Sequence, residues 1–480
     1  MSLRETTQDL FLYLPSVKRP EGHVKFKQKL LWTFGILVAY FALTNVPIWG
    51  LGTGGEADFL GQFRTILAGA QGSVFHLGIM PIVTASIVLQ LLAGAELLGL
   101  DMSDPRDQQY FQSLQKVLVI VFAAVTAFPM VFAGNFLPAD SALATALGVG
   151  QPVLQFIMFA QITLGGILIM YLDEIVSKWG IGSGVGLFIV AGVAQQLFGG
   201  ILNIGQSYIS IFTGTLPLGQ SLADRAMTLV LGPGSLLAIV TTVTIFYIVV
   251  YAESTRVELP VRSARAKGAR GRFPVKLIYA SVMPLILVRA IQANIQFIGR
   301  LLNSGWTNMP AWIGSYSSTG QPTGGIFYFL APIQSPNDWM WFATGVTAEP
   351  WEILLRLGID LTFMLIGGAI FAVFWVETTG MGADKSAQQL KRSGLQIPGF
   401  RNNTNVIEKV LERYIPYVTV IGGALVGLLA VLANLFGAIG AVSGTGLLLA
   451  VSITYKLYEE MAKEKMSEMN KTFRQFFENA

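Results

Sequence analysis

Of the 32 Lys and Arg residues in this chain, 27 fall in every second connection between its apolar segments. The connections in between hold only Arg64, Arg225, Arg300 and Arg356, and Arg289 stands inside an apolar segment. Membrane insertion leaves the Lys- and Arg-rich loops on the cytoplasmic side, so this alternation both counts the crossings and orients them.

A helix needs about 20 residues to cross the hydrocarbon core. Apolar runs of that order stand near 30–49, 75–93, 115–134, 152–171, 183–199, 235–252, 276–300, 353–376, 416–435 and 440–457, the fifth being short and glycine-rich. Ten crossings put both termini on one side, and the charges make that side cytoplasmic. Six basic residues precede the first crossing, seven lie in the loop 253–276, six in the loop 377–413, and five follow from Lys456 to the end. Residues 1–29 are expected to be a cytosolic segment lying along the interface, and 458–480 a cytosolic tail.

Composition agrees. The chain is 12% charged, where a soluble domain carries about 25%. Its 52 glycines suit closely packed membrane helices, and Gly423–Gly427 has the small-xxx-small spacing. With no cysteine, disulfide frameworks and thiolate metal sites are excluded, and His23 and His76, the only histidines, lie far apart, which removes most metal-hydrolase readings.

If the chain divides into halves of five crossings, 30–199 and 235–457 joined by an external connection 200–234, the second half must enter inverted, because five is odd. Residues 55–74 are amphipathic and too polar to span. A segment like that is tolerated at membrane depth only when buried in protein or facing a water-filled cavity. Few acidic residues lie inside the apolar runs, Asp360 being one, and neither HExxH nor GxxxxGK[ST] is present. An ATPase or an intramembrane hydrolase is therefore not expected, and no enzyme is. A passive conduit is the leading reading; a secondary transporter with inverted repeats is disfavoured by the scarcity of midplane carboxylates, and an assembly scaffold without an aqueous pore is the third.

Longer motifs separate them. LGIMPIVTASIVLQLL (77–92), YLDEIVSKWGIGSGVGLFIVAGV (171–193), YAESTRVELPVRSARAKG (251–268), FWVETTG (374–380) and SGTGLLLAVSITY (443–455) resemble the SecY family, the channel subunit of the protein-conducting translocon. RVELP is similar to the archaeal and eukaryotic branch. The resemblance implies an all-α polytopic membrane protein, with ten transmembrane helices in two inverted halves around a central pore and a short re-entrant plug helix. It implies a Sec translocase channel in the cell membrane, passing secretory polypeptides and releasing membrane segments sideways. Partners implied are a SecE-type subunit, a third small single-span subunit, the ribosome with its rRNA, nascent chains and signal sequences. No cofactor is implied.

By position, the resemblance assigns a pore ring to Ile79, Val83, Val185, Ile189, Ile286 and Leu449. It assigns the plug to Phe59, Leu60, Phe63, Ile66 and Leu67, a lateral gate to Thr84, Thr126 and Asn294, and ribosome docking to Arg265, Lys267 and Arg401. Thr126 stands where relatives often carry a larger polar residue, which leaves a Thr126–Asn294 contact weaker. Ile79/Val83 and Val185/Ile189 are i,i+4 pairs, so each projects from one helix face. Arg289, three residues beyond Ile286, would cost at least about 2.5 kcal/mol if left in lipid, so it should meet water or a partner such as Asp360. Placed so close to the ring, it is also expected to bias gating.

Overall fold

A computed structural model of the chain describes all residues except 1–14, 23, 53–60, 95–96, 100–104, 133–135, 214–235, 264–269, 277–282, 306–308, 318–319, 342–347, 380, 393–394, 397–403, 441 and 479–480. The first half runs α1 (Phe26–Thr44), the short α2 (Gly61–Leu67), α3 (Met80–Gly94), α4 (Pro105–Phe132), the short α5 (Ser141–Leu147), α6 (Gln151–Trp179) and α7 (Gly184–Thr213). Then come α8 (Leu236–Ser254), a hairpin of β1 (Arg256–Ser263) and β2 (Arg270–Lys276), α9 (Met283–Gly305), a ribbon of β3 (Ser315–Tyr316) and β4 (Pro322–Gly324), and one-turn α10 (Ile326–Phe329). The chain closes with α11 (Pro350–Thr378), α12 (Ala383–Arg392), β5 (Leu395–Gln396), α13 (Thr404–Leu411), α14 (Ile415–Phe436) and α15 (Gly444–Glu478).

The helices α1, α3, α4, α6, α7, α8, α9, α11, α14 and α15 occupy the ten apolar segments. Seven helices among the described residues are long and apolar enough to span on those grounds alone. Their outward faces stay apolar, with Phe34, Val125, Phe156, Val243 and Ile366 exposed, as lipid contact requires. The fifth crossing is not short: α7 covers 30 residues. The second is the short one, because its helix begins only at Met80. Residues 68–79 are non-helical, and much of their backbone bonds within the protein. Ile48 N–H donates to Gly72 O (2.8 Å), Val74 N–H to Val46 O (3.0 Å) and Ile79 N–H to Leu67 O (2.7 Å). Irregular backbone at membrane depth survives under that condition.

Contacts between helix ends place the basic connections together. Lys29 pairs with Glu464, Lys116 and Lys178 with Glu174, and Arg256 and Lys276 with Glu459. Lys178 Nζ and Trp179 Nε1 donate to the carbonyls of Val17 and Lys18. The start of α1, the end of α6, the β1–β2 hairpin and the far part of α15 therefore share one end of the molecule. That end also carries the larger sheet, in the order β2–β1–β5. Arg262 lies opposite Gln396 and Ser263 opposite Leu395, so the two large basic loops are joined there. Strand structure was not expected, although Val257, Leu259 and Val261 alternate with polar residues or proline as a strand does.

At the weakly charged end, two arginines hold the long connection 301–352. Arg356 donates from Nε to Ala331 O and from Nη2 to Pro332 O, both at 2.9 Å, and lies over the Tyr328 ring. Arg300 donates to Gly320 O and lies over Phe136. These departures from the charge alternation are accounted for by loop anchoring. Arg356→Ala is expected to lower stability by about 3 kcal/mol, since two charge-assisted bonds go and two buried carbonyls stay behind. Faster amide exchange confined to residues 326–333 would show it; unchanged exchange there would refute it.

Glycines set the closest helix pair. The most extensive helix contact joins α11 to α14, and at its centre a Cβ on Gly368, Gly423 or Gly427 would meet the facing backbone. The small-residue spacing read from Gly423–Gly427 thus marks a real crossing.

Candidate functional site

The six expected ring residues come from four places along the chain and all belong to one large buried apolar cluster. Ile79 precedes α3, Val83 lies on α3, Val185 and Ile189 on α7, Ile286 on α9 and Leu449 on α15; all are buried. Small residues help these helices approach one another. Gly186, for example, sits against Ile453 of α15 with no side chain of its own between.

The re-entrant helix α2 closes one side of this cluster. Ile66 and Ala68 belong to it, together with Phe75. Phe63 and Leu67 face a second cluster with Leu77, Met80, Ala127 and Phe297. Tyr40 of α1 donates its hydroxyl to Ala68 O (2.9 Å) and stacks on Phe188 of α7 at 4.7 Å between ring centroids. α2 packs against α7, α9 and α15, three of the helices that bear the ring. Of the plug residues read from the sequence, Ile66 shares the cluster of the ring residues, Phe63 and Leu67 pack in the neighbouring one, and Phe59 and Leu60 lie outside the described residues.

Between α3 and α9, Asn294 Nδ2 donates to Thr84 Oγ1 (3.1 Å) and to Ala290 O (2.9 Å). Two of the three expected gate residues thus touch. Thr126 is buried on α4; Asn294 pairs with Thr84, because α9 packs closely on α3.

Arg289 and Asp360 are each 1% exposed at the side chain and form an ion pair of 3.0 Å between α9 and α11. Gln292 completes it, accepting from Arg289 Nη1 (2.6 Å) and donating to Asp360 Oδ1 (2.9 Å). The partner named for Arg289 from the sequence is the one found.

On the basic side of the ring opens a cavity of about 420 Å³, floored by Ile82, Val83, Val185 and Ile286. Arg265, Lys267 and Arg401, the expected docking residues, lie outside the described residues. Their frame is described: Glu459 of α15 takes Arg256 and Lys276, the two ends of the hairpin. Burial raises the Glu459 carboxyl, but the hydrogen bond from Lys276 and the charges of Lys276, Arg256 and Lys463 outweigh it, leaving a pKa below the usual range. A depressed carboxylate contributes stability above its unfolded pKa and loses it as pH falls through the folded one. Acidification below the ordinary Glu range is thus expected to loosen the hairpin base, read as faster proteolysis of 256–276. Equal cleavage at neutral and acid pH, with a protease active at both, would refute it.

Chain-wide comparison decides between the readings left open above. Residues 73–458 match the SecY family model, and residues 38–72 match the model of the plug domain of Sec61p. The chain belongs to the SecY family. It is 62% identical over 487 residues to the protein translocase subunit SecY of Haloferax volcanii, with 99% of each chain covered. Its fold is similar to a solved protein-conducting channel (TM-score 0.79, 37% identity, 96% and 97% of the chains covered). It is also similar to Sec61 in the canine ribosome–channel complex from the endoplasmic reticulum (TM-score 0.76, 36% identity, 96% and 97% covered). As a SecY it is a multi-pass membrane protein and the channel subunit of a protein translocase, not an enzyme.

Sequence reading missed three groups around the ring: the glutamines of the cavity wall, Glu459 beneath the hairpin, and Thr84 as the partner of Asn294. The glutamines had a signal, since Gln108, Gln112 and Gln115 share one helix face; Glu459 had none beyond its charge.

Proposed function

We propose that the chain is a passive conduit for extended polypeptides, constricted by Ile79, Val83, Val185, Ile189, Ile286 and Leu449 and held shut by α2. One observation carries this reading: the six ring residues, from distant parts of the chain, share one buried apolar cluster with Ile66 of α2. Branched apolar groups can seal around a chain without binding it, and an apolar constriction resists ions by dewetting. The side exit runs between α3–α4 and α9–α11, where the Thr84–Asn294 bond is the polar tie to break, with Thr126 buried nearby on α4.

The basic end faces the cytoplasm, as the charge asymmetry supports. Both termini lie there, with 1–29 along the interface and 458–480 as a tail. The plug occupies 55–74, and two five-helix halves, 30–199 and 235–457, meet across 200–234. Ribosome synthesis supplies the push, and Arg265, Lys267 and Arg401 of the two basic loops dock on rRNA phosphate, where forked arginine contacts serve best. Sec61 in a ribosome–channel complex is a solved relative, which supports that partner. A SecE-type subunit and a third single-span subunit complete the assembly, and membrane segments leave sideways into lipid.

Photoreactive probes at Ile79, Ile189 and Leu449, in the complex carrying a ribosome-arrested nascent chain, are expected to label that chain at all three positions. Labelling at none would overturn the constriction.

A further inference from the structure

The cavity on the basic side of the ring has an unusual wall. Ile82, Ser86 and Gln90 follow at i, i+4 and i+8 along α3, and Gln108, Gln112 and Gln115 at i, i+4 and i+7 along α4; all six line the cavity. Gln115 Nε2 donates to Ser86 Oγ (2.8 Å), which donates in turn to Ile82 O. That bridge sets the two stripes side by side. Gln90 is 5% exposed, and its Oε1 is buried without a hydrogen-bond partner. A buried acceptor left in that state calls for a donor.

Primary amides both donate and accept, as a main chain does. Residues four apart on a helix are separated by about 6 Å along its axis. The same edge of an extended chain repeats its N–H and C=O every two residues, about 6.6 Å. The match holds for any amino-acid sequence, since it uses no side chain of the passenger. Among the described residues, Asp173 is the one acidic side chain of the lining and is engaged by Val185 N–H (2.8 Å), and none of the lining residues is basic. Amides on that wall give favourable entry with no charge of their own to trap the passenger.

We propose that the amide stripe of α4, with Ser86 and Gln90 of α3 beside it, cradles the main chain of an extended polypeptide on its way to the ring, with Gln90 accepting a passenger N–H. This rests on the conduit reading and adds a binding subsite to it.

The test uses the full complex with two ribosome-arrested chains. One carries an alanine–serine segment across the cavity; the other has proline at every second residue there, removing half of the N–H donors. A photoreactive residue at Thr378, on the opposite wall, reads occupancy, and a second probe at Leu449 reads arrival at the ring. The parent is expected to label the proline chain about fivefold less at Thr378. Gln90→Met and, separately, Gln112→Met, which is exposed and leaves the packing alone, are expected to narrow that ratio towards one by weakening the alanine–serine chain. Equal labelling of both chains by the parent, or an unchanged ratio in both variants, overturns the cradle. Loss of Leu449 labelling with the Thr378 ratio intact overturns the conduit reading and leaves the cradle standing.

Discussion

Arg289→Met is expected to lower the stability of the folded channel by about 3–5 kcal/mol, because it strands Asp360 as an uncompensated buried charge. Asp360→Met should cost a similar amount, stranding Arg289. The double variant Arg289→Met with Asp360→Met should recover most of the loss, since apolar residues of similar volume replace a buried pair at little net cost. The geometry favours that outcome. Nε and Nη2 of Arg289 and Oδ2 of Asp360 are buried without hydrogen-bond partners, so the network repays only part of its desolvation. Thermal unfolding of the purified protein in lipid nanodiscs measures all three. The same set decides whether Arg289 biases gating or only ties α9 to α11. If it is a tie, the double variant regains both stability and normal signal-sequence stringency. Relaxed stringency in a stable double variant would assign the effect to the charge itself, and equal stability of the single variants and the parent would remove the prediction.

What could be read from the chain depended on whether the signal was local. Ten crossings were legible because a loop records its side of the membrane in its own charges. Asp360 was legible as the partner of Arg289 because two charges inside apolar runs have few other choices. The ring was not legible from physics alone: Ile79 and Leu449 look like any core residue, and only resemblance singled them out. The second crossing was misjudged at its start because apolarity from Phe75 onward says nothing about Gly78, which turns the backbone before the helix begins. The strands of 256–276 were hidden by the weight of their charges, although Val257, Leu259 and Val261 alternate. Arg300 and Arg356 looked like exceptions to a rule, because their carbonyl partners lie 20 to 25 residues away. Thr84, not Thr126, meets Asn294, and no local pattern distinguishes two threonines on neighbouring helices.

Gly78 joins the plug to the ring, and Gly78→Val is expected to unseat the plug. The residue has φ +55°, and a Cβ there would fall against the carbonyl oxygen of Leu67 and the backbone of Gly69. That carbonyl accepts from Ile79 N–H at 2.7 Å, so one hydrogen bond ties the last residue of α2 to the first residue of the ring. A β-branched residue at positive φ costs about 1–2 kcal/mol by itself, and loss of the bond adds about 1 kcal/mol. Weakening the seat by about 3 kcal/mol raises the unseated fraction roughly a hundredfold, at tenfold per 1.4 kcal/mol. Ion conductance of vesicles holding the resting channel should rise with that fraction, and Gly78→Ala should fall between parent and valine. Gly99 separates strain from unseating. It has the same φ, but no described residue lies within 4 Å of its added Cβ, so Gly99→Val should cost similar backbone strain and leave conductance at the parent level. If the two valine variants leak equally, the leak comes from general destabilisation and the Leu67–Ile79 tie does not hold the channel shut.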